Sequence, residues 1–314
     1  MKQDKIFIST SSFAKFDASP LESLKKEGFK VGVNPYGRKL EPEESIRLFQ
    51  GAIGLIAGTE LLSGDVLRAV PSLKIISRCG TGIDNIDMDA AAELKILVSN
   101  TPDAPSRAVA EFCLGLILSL IRRITESDRK IRSGTWEKKM GVLLRGKAIG
   151  IIGLGRIGKE LVKLLTPFDA KLAAYDITPD YAFAVSHNVE MVSLEELLRN
   201  SDIVSIHISG GRDCCKLIGP EQLSIMKQGS YIINTSRGGI VDEQALTKRL
   251  KDNVAGAALD VFEKEPYRGE LKNFDNVILT PHIGSYAIEA RIDMEREAVK
   301  NLLLNFKKLN GVKS

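Results

Sequence analysis

Histidine and cysteine are scarce in this chain, with three and four residues respectively among 314. The cysteines show no C-x-x-C spacing, and two of them are adjacent, an arrangement that does not suit one tetrahedral metal ion. They are Cys79, Cys113, Cys214 and Cys215. The sequence therefore predicts no metal site, and we expect reduced thiols in a cytoplasmic protein.

Long apolar runs and an excess of one charge are also missing. The longest apolar stretch, Phe112–Ile121, has 10 residues, whereas a membrane span needs about 20. We expect no secretory signal, because the first residues lead directly into a short apolar strand. Lys and Arg number 44 against 40 Asp and Glu, without a basic cluster. Neither a membrane nor a nucleic acid is therefore expected as a partner.

The chain does contain an alternation of short β-branched runs with longer helical periodicity. This alternation is typical of βαβ units, and the length corresponds to about two domains. The sequence predicts an α/β fold with two Rossmann-like, doubly wound parallel sheets. The predicted strands are 5–10, 29–34, 51–57, 73–77, 96–99, 147–152, 171–175, 203–208, 230–234, 255–259 and 277–279. The predicted helices are 20–27, 63–69, 104–123, 156–168, 194–200, 220–226, 243–251 and 286–309.

The predicted helix 104–123 is apolar on more than one face. A helix of that kind is buried on several sides. We therefore expect it to pack between domains or between subunits.

A glycine fingerprint, G-x-G-x-x-G, lies at residues 153–158 between an apolar strand and a helix. In a dinucleotide site, Gly153 would form the tight turn, Gly155 would admit the pyrophosphate, and Gly158 would let the helix approach the strand. The helix N-terminus would attract the phosphates. The alternative interpretation is a structural turn that binds no ligand.

Asp176 ends the next strand, 18 residues beyond Gly158. A carboxylate at this spacing accepts hydrogen bonds from the adenosine ribose and repels a 2′-phosphate. No Arg or Lys occurs in residues 177–181 to neutralise such a phosphate. The sequence therefore favours NAD over NADP.

Three groups suited to hydride-transfer chemistry follow three later strands: Arg237, Glu265 and His282. Reducing a carbonyl requires a cation that polarises the substrate and an acid that protonates the developing alkoxide. Ligands bind at the carboxyl ends of strands in such sheets. We expect His187 and His207 to be structural, although His207 could line the cofactor.

At these motifs the sequence resembles the D-isomer-specific 2-hydroxyacid dehydrogenases along nearly its whole length. The resemblance rests on the fingerprint and on NTSRGGIVDE at 234–243, GAALDVFEKEP at 256–266 and PHIG at 281–284. Within the family it is most similar to the phosphoglycerate dehydrogenases of serine biosynthesis. The matching segments are SRCGTGIDNID at 77–87, NTP at 100–102 and SGTWEKK at 133–139.

The resemblance implies a role for each motif. Arg237 would bind the substrate carboxylate and carbonyl, His282 would be the acid–base group, and Glu265 would favour its charged form. The implied cofactor contacts are Gly153, Gly155, Arg156, Ile157, Gly158, Asp176, Thr81, Thr235, Ser236, Asp260 (on the nicotinamide side) and Gly284. The implied substrate contacts are Arg78, Cys79, Gly80, Thr81 and Asn100, with backbone N–H groups of 78–81 facing the carboxylate, together with Arg237 and His282.

The resemblance also implies a discontinuous substrate-binding domain, residues 1–99 and 287–314, around an NAD-binding domain, residues 100–286. The two would close over the ligand. The helix near 104–123 would form a homodimer.

Three departures from the family pattern bear on the substrate. The phosphoglycerate enzymes carry an Arg-Ser pair where this chain has Ala57-Gly58-Thr59-Glu60, which weakens the case for a phosphorylated substrate, although Arg78, Arg107 and Lys138 could compensate. The segment 208–215 differs from their Pro-Leu-Thr. We also expect no regulatory extension after the last helix. The predicted substrate is 3-phosphoglycerate, with hydroxypyruvate, glyoxylate or another D-2-hydroxy acid as alternatives. An NAD(H)-sensing corepressor-like protein is the alternative from another class. A methyltransferase would leave Arg237, Glu265 and His282 unexplained.

Overall fold

The computed structural model describes residues 3–210 and 214–311. The chain divides into two compact units. Unit 1 runs to Pro105 and resumes at Tyr286, and unit 2 is Ser106–Ser285. The sequence predicts these boundaries after residues 99 and 286. The first differs from the observed boundary by six residues and the second by one.

The described residues form parallel strands alternating with helices. The strands are β1 Lys5–Ile8, β2 Lys30–Val33, β3 Ala52–Ala57, β4 Ile75–Arg78, β5 Leu97–Asn100, β6 Ala148–Ile152, β7 Lys171–Tyr175, β8 Val189–Met191, β9 Ile203–Ile206, β10 Tyr231–Asn234, β11 Gly256–Leu259 and β12 Val277–Leu279. The helices are α1 Ser19–Lys26, α2 Pro42–Phe49, α3 Gly64–Arg68, α4 Met88–Glu93, α5 Ser106–Ile121, α6 Ile124–Arg132, α7 Arg156–Leu165, α8 Tyr181–Ser186, α9 Leu194–Asn200, α10 Pro220–Ile225, α11 Glu243–Asp252 and α12 Ile288–Leu309.

Unit 1 contains a sheet with strand order β2-β1-β3-β4-β5, in which every pair is parallel. Apolar side chains cover both faces of this sheet, as a parallel sheet requires. The last helix, α12, packs against β3, β4 and β5. It buries Met294, Ala298 and Leu302 on that face.

Unit 2 contains a parallel sheet of order β12-β11-β10-β9-β6-β7-β8. The chain moves outward from β6 in one direction through β7 and β8, and in the other through β9 to β12. The point between β6 and β9 is therefore the topological switch point, where doubly wound sheets bind ligands. Both sheets confirm the predicted α/β fold class.

The apolar helix α5 packs within unit 2 itself, against α7 and strands β10–β12. Its buried residues include Ala110, Cys113, Ile117 and Ile121, which repeat at helical spacing. Phe112, Leu114 and Leu118 pack against the same core. The apolar character that suggested a domain or subunit boundary is thus largely explained by packing inside one unit. The helix ends at Ile121, and α6 starts after Arg123, whose φ of 55° lies in the left-handed region.

The sequence prediction missed the short elements α2, α4, α6, α8 and β8. Each has 9 residues or fewer, which is too few to show a clear hydrophobic period. Local signals mark α2 nevertheless: Pro42 at its first turn and a capping box between Glu41 and Glu44. Among the helices of the described residues, none combines the length and apolarity that crossing a bilayer would require.

Candidate active site

The candidate residues of unit 2 follow its strands at one edge of the sheet. Gly153 follows β6, Asp176 follows β7, Thr235 follows β10, Asp260 follows β11, and His282 lies three residues after β12. Because all neighbouring strands are parallel, their carboxyl ends share this edge. The fold therefore brings together residues that are more than 100 positions apart in sequence.

The glycine loop has the close approaches that the fingerprint predicts. Gly153 has φ +98°, and a Cβ added there would lie 2.8 Å from the carbonyl carbon of His207. A Cβ at Gly158 would lie 2.2 Å from the carbonyl oxygen of Gly153. Gly155 faces open space, and Arg156 and Ile157 form the first turn of α7. The loop thus leaves room for a group at the N-terminus of α7.

The carboxylate of Asp176 is held by the backbone. Its Oδ2 accepts a hydrogen bond from the N–H of Leu154 at 2.7 Å, and its Oδ1 accepts from Thr178 at 2.8 Å. Each carboxylate oxygen keeps a further lone pair that can accept from a hydroxyl. Lys159 Nζ is paired with Asp180 at 2.6 Å. The geometry fits a ribose diol and offers a 2′-phosphate no cation from residues 177–181.

Thr235 supplies an independent test of fit for a ligand. Its side chain is buried, and within the described part of the chain Oγ1 has no hydrogen-bond partner. A buried polar atom without a partner is costly unless a ligand or water satisfies it. Together with the open space at Gly155 and the fixed carboxylate of Asp176, this orphan hydroxyl fits the edge of a dinucleotide site.

The turn that carries Arg237 is held by Asn234, a residue the sequence analysis did not single out. Asn234 Oδ1 accepts from the N–H of Ser236 at 3.0 Å and from its Oγ at 2.7 Å. Asn234 Nδ2 donates to the carbonyl of Arg237 at 2.9 Å. Such Asx turns are a common use of Asn after a strand. The guanidinium of Arg237 donates to the carbonyl of Ser236 at 2.8 Å and is half-buried.

His282 and Glu265 are brought together. His282 Nδ1 lies 3.2 Å from Glu265 Oε2, and both side chains reach solvent. Glu265 Oε1 also accepts from the N–H of Phe262 at 3.3 Å, which orients the carboxylate. With Nδ1 engaged, Nε2 is the ring nitrogen left for proton exchange with a ligand.

Asp260 anchors the loop that carries His282. Its Oδ1 accepts from Thr280 Oγ1 at 2.6 Å and from the N–H of Ile283 at 2.9 Å, and its Oδ2 accepts from Gly284 at 2.8 Å. His282 itself has φ 57°, a left-handed conformation that a non-glycine residue keeps only when its surroundings enforce it. The resemblance implies that Asp260 and Gly284 contact the cofactor. In the structure, the buried side chain of Asp260 and the N–H of Gly284 bond to each other and hold this loop.

In unit 1, two backbone N–H groups of the loop after β4, which the resemblance assigns to the substrate, donate to other residues of the protein. The N–H of Cys79 donates to Ala57, and that of Gly80 donates to Thr101 Oγ1 at 2.7 Å. The expectation that these two N–H groups face a substrate carboxylate therefore needs correction. Within the described residues, the N–H groups of Thr81 and Gly82 donate no hydrogen bond.

Two other predicted substrate contacts also take part in holding this loop. Asn100 Nδ2 donates to the carbonyl of Thr81 at 2.7 Å. The guanidinium of Arg78 folds back to donate to the carbonyl of Cys79. Both side chains therefore stabilise the segment that presents Thr81 and Gly82.

Glu60 is a buried carboxyl group at the carboxyl edge of the unit 1 sheet. In the sequence it stands out only because residues 57–60 lack the Arg-Ser pair of the phosphoglycerate enzymes. Its Oε1 lies 2.5 Å from Ser9 Oγ, after β1, and 3.2 Å from the N–H of Gly58, after β3. Burial raises the pKa of Glu60, and these hydrogen bonds oppose that rise. The side chain occupies donors that an anionic ligand would otherwise use.

The four cysteines are free thiols, and within the described residues no group of three or more His, Cys, Asp or Glu side chains could hold a metal ion. In the altered segment 208–215, residues 211–213 lie outside the described part of the chain.

The chain is similar to known proteins in both sequence and structure. Residues 114–284 match the family model of the D-isomer specific 2-hydroxyacid dehydrogenase, NAD binding domain. The chain is 46% identical over 255 residues to a glyoxylate reductase of Thermofilum pendens, covering 78% of this chain and 75% of that protein. It is 37% identical over 280 residues to a D-3-phosphoglycerate dehydrogenase of Archaeoglobus fulgidus, covering 87% and 53%. The crystal structure of the TT0316 protein from Thermus thermophilus superposes with TM-score 0.88 at 32% identity, covering 97% of each chain.

Proposed function

The chain belongs to the D-isomer specific 2-hydroxyacid dehydrogenase family, and from this premise we propose that it reduces a small, unphosphorylated 2-keto acid with NADH, glyoxylate or hydroxypyruvate being the leading candidates. The observation that carries the proposal is the His282–Glu265 pair at 3.2 Å, on the sheet edge that also bears Arg237 and the glycine loop. This arrangement would supply a proton donor and a cation beside the proposed dinucleotide site.

NADH, the reduced form of the cofactor of this family's NAD binding domain, would supply the hydride when bound. Gly153, Gly155 and Gly158 would admit its pyrophosphate, and Asp176 would accept from its adenosine ribose. Because Asp176 repels a 2′-phosphate, we infer a preference for NADH over NADPH.

Three residues of unit 2 would bind the substrate and transfer the proton. The planar guanidinium of Arg237 would hold the carboxylate and carbonyl oxygens of the keto acid through two parallel hydrogen bonds. Glu265 would accept a hydrogen bond from Nδ1–H of the protonated ring and so hold its Nε2–H toward the substrate oxygen. His282 would give its Nε2 proton to that oxygen in reduction and take it back in oxidation.

The substrate assignment rests on residues 57–60. Glu60 and Ser9 already occupy the N–H of Gly58, and residues 57–60 contain no Lys or Arg. A substrate phosphate near residues 57–60 would meet the carboxyl group of Glu60, whose charge Arg78 already partly balances, and placing two like charges together is costly. This favours a substrate without a phosphate, in agreement with relatives named glyoxylate reductase.

The second candidate substrate is 3-phosphohydroxypyruvate, the oxidised form of 3-phosphoglycerate. Relatives named D-3-phosphoglycerate dehydrogenase are 37% and 39% identical to this chain. Serine biosynthesis would then be the pathway. The same enzyme assay distinguishes the two candidates.

We also propose that the protein is a homodimer. The surface involved differs from the expected one, because α5 is buried in its own unit. The segment 124–143 instead exposes large apolar side chains, which soluble monomers rarely cluster. They are Ile124, Ile131, Trp136, Met140 and Leu143, with exposed fractions of 52–91%.

A keto-acid panel with NADH and NADPH tests the proposed function. We expect NADH oxidation with glyoxylate or hydroxypyruvate at a kcat/KM at least tenfold above that with phosphohydroxypyruvate, and slower reaction with NADPH. His282→Gln should lower kcat at least about a hundredfold, the usual contribution of a general acid. Arg237→Lys should mainly raise KM and lower kcat/KM, because an ammonium cannot form the bidentate contact.

The matched control is His187→Gln, which removes a histidine stacked on Phe183 at the carboxyl end of α8 and should leave kcat unchanged. A higher kcat/KM with phosphohydroxypyruvate would overturn the substrate assignment. Tight NADH binding without turnover of any keto acid would instead support the corepressor-like alternative.

A further inference from the structure

His207 ends a short buried chain of three polar side chains in unit 2. It follows β9, and its side chain is 8% exposed. His207 Nε2 lies 2.8 Å from Ser205 Oγ, and that oxygen lies 3.1 Å from Cys113 Sγ on α5. Ser205 and Cys113 are both fully buried. One ring nitrogen of His207 is therefore engaged in the core.

The other ring nitrogen of His207 is not engaged by any residue that the structure describes. Nδ1 is buried, and within the residues 3–210 and 214–311 it makes no hydrogen bond. Burial lowers the pKa of His207 to about 4, so the ring is neutral at physiological pH. A buried nitrogen left unsatisfied in this way costs free energy, unless a bound molecule completes it.

The relative strengths of these hydrogen bonds favour one position for the proton of the ring. The hydroxyl of Ser205 has one hydrogen to donate and can direct it to a strong acceptor, the imidazole nitrogen, or to a weak one, the thiol sulfur. Donation to His207 Nε2 is the stronger choice, and the Cys113 thiol then donates to Ser205 Oγ. In a neutral ring with Nε2 accepting, the proton resides on Nδ1. His207 therefore presents an unsatisfied N–H donor.

This donor lies at the switch point of the sheet. The backbone of His207 adjoins the glycine loop, since a Cβ at Gly153 would meet its carbonyl carbon at 2.8 Å. On the other side, the register pairs Ile206 with Asn234, so that His207 is level with Thr235. Two neighbouring strands thus each end in a buried polar side chain with one unpartnered atom, His207 Nδ1 and Thr235 Oγ1.

We propose that His207 is a cofactor-binding residue whose Nδ1–H donates a hydrogen bond to an oxygen of the bound dinucleotide, and that Ser205 and Cys113 hold the tautomer that carries this proton. The inference rests on the NAD site proposed above. It replaces the structural role expected for His207 from the sequence.

A pair of substitutions separates the two ring nitrogens. In His207→Asn the amide nitrogen is attached to Cγ, as Nδ1 is, so a donor remains; in His207→Gln the amide lies one bond further out, toward the position of Nε2. Titration of NADH followed by its own fluorescence should give a Kd raised about tenfold for His207→Gln, the loss of one hydrogen bond to a polar ligand. His207→Asn should stay within about threefold of the wild type, as should the control His187→Gln.

The two proposals fail in different ways in this titration. A wild-type protein that does not bind NADH would overturn the NAD site and this inference with it. A wild-type protein that binds NADH, with His207→Gln binding equally well, would overturn the inference alone.

The tautomer is tested first by NMR on the wild-type ring and then by substitutions of its two buried partners. In ¹⁵N-edited NMR spectra of the cofactor-free protein, His207 should show a protonated Nδ1 and an unprotonated Nε2; His187→Gln and His282→Gln assign the other two histidines. On addition of NADH, the Nδ1 proton should become protected from solvent exchange. A protonated Nε2 would overturn the proposal. Ser205→Ala should weaken NADH binding several-fold, whereas Cys113→Ser, which keeps a donor, should not.

Discussion

Glu60 shows how a single buried carboxyl group can limit what a site accepts. It is 1% exposed, and it is tolerated because Ser9 and the N–H of Gly58 bond to it. The same contacts withdraw those donors from any anionic ligand. One side chain thereby influences both the stability of unit 1 and the substrate class we propose.

Burial raises the pKa of Glu60, and this predicts how stability depends on pH. Between the unfolded and folded pKa values, the folded chain binds more protons at this group than the unfolded chain does. This group's contribution to the free energy of unfolding therefore falls as pH rises through that interval. Glu60→Gln keeps an oxygen acceptor for Ser9 and Gly58 without the charge, so the variant should gain stability relative to wild type as pH rises.

Urea unfolding at about pH 5 and about pH 8 measures this difference. Glu22→Gln, at an exposed position of α1, is the control and should follow the wild type at both values. Equal changes for the wild type and Glu60→Gln would show that burial of the Glu60 charge does not affect stability.

The loop between β12 and α12 owes its conformation to contacts outside itself. The left-handed backbone of His282 is held because Asp260, which follows β11, bonds to the loop residues on both sides, Thr280 and Ile283, and to Gly284. The element that carries the proposed acid is thus positioned by its neighbour in the sheet. Pre-organisation of this kind keeps a catalytic group within reach of the substrate.

Asp260→Ala should therefore lower kcat about a hundredfold, with a loss of about 3 kcal/mol in the free energy of unfolding, because three donors lose a buried acceptor. Thr280→Val removes only one of these hydrogen bonds and should cost about 1 kcal/mol, with a small effect on kcat. Steady-state kinetics and urea unfolding measure both. If Asp260→Ala loses NADH affinity while kcat at saturation persists, Asp260 acts on the cofactor and not through the loop.

At the scale of the whole molecule, each unit is a parallel sheet covered on both faces, so its apolar surface is largely buried within the unit. The segment 124–143 is an exception, with Met140 91% and Leu143 67% exposed. Such a surface is typical of a contact with another chain. A second copy of this chain is the partner we propose.

The wild-type protein should sediment at twice the mass of one chain, and the double variant Met140→Glu with Leu143→Glu should sediment at that of a monomer, since burying two added charges opposes association. Val185→Glu is the control, because it places the same charge on another exposed apolar residue of unit 2 and should leave the dimer intact. A monomeric wild type, or a double variant that remains dimeric, would contradict the proposed surface.

Local patterns in the sequence were sufficient for several conclusions. The α/β class follows from alternating periodicities, and the dinucleotide loop follows from three glycines placed between a strand and a helix. Both depend on residues close together in the chain, where backbone sterics and the hydrophobic period act directly. The choice of Arg237, Glu265 and His282 came from their places after strands and from the resemblance.

Only the tertiary structure decided which atoms are available at these positions. It showed that Asp260 holds the His282 loop, that Cys79 and Gly80 donate internally, and that α5 is buried in its own unit. It also showed that His207 ends a chain from Cys113 with one nitrogen unpartnered among the described residues. These facts depend on contacts between distant segments. A hydrogen bond is determined by the positions of both partners, and the sequence specifies those positions only through the complete fold.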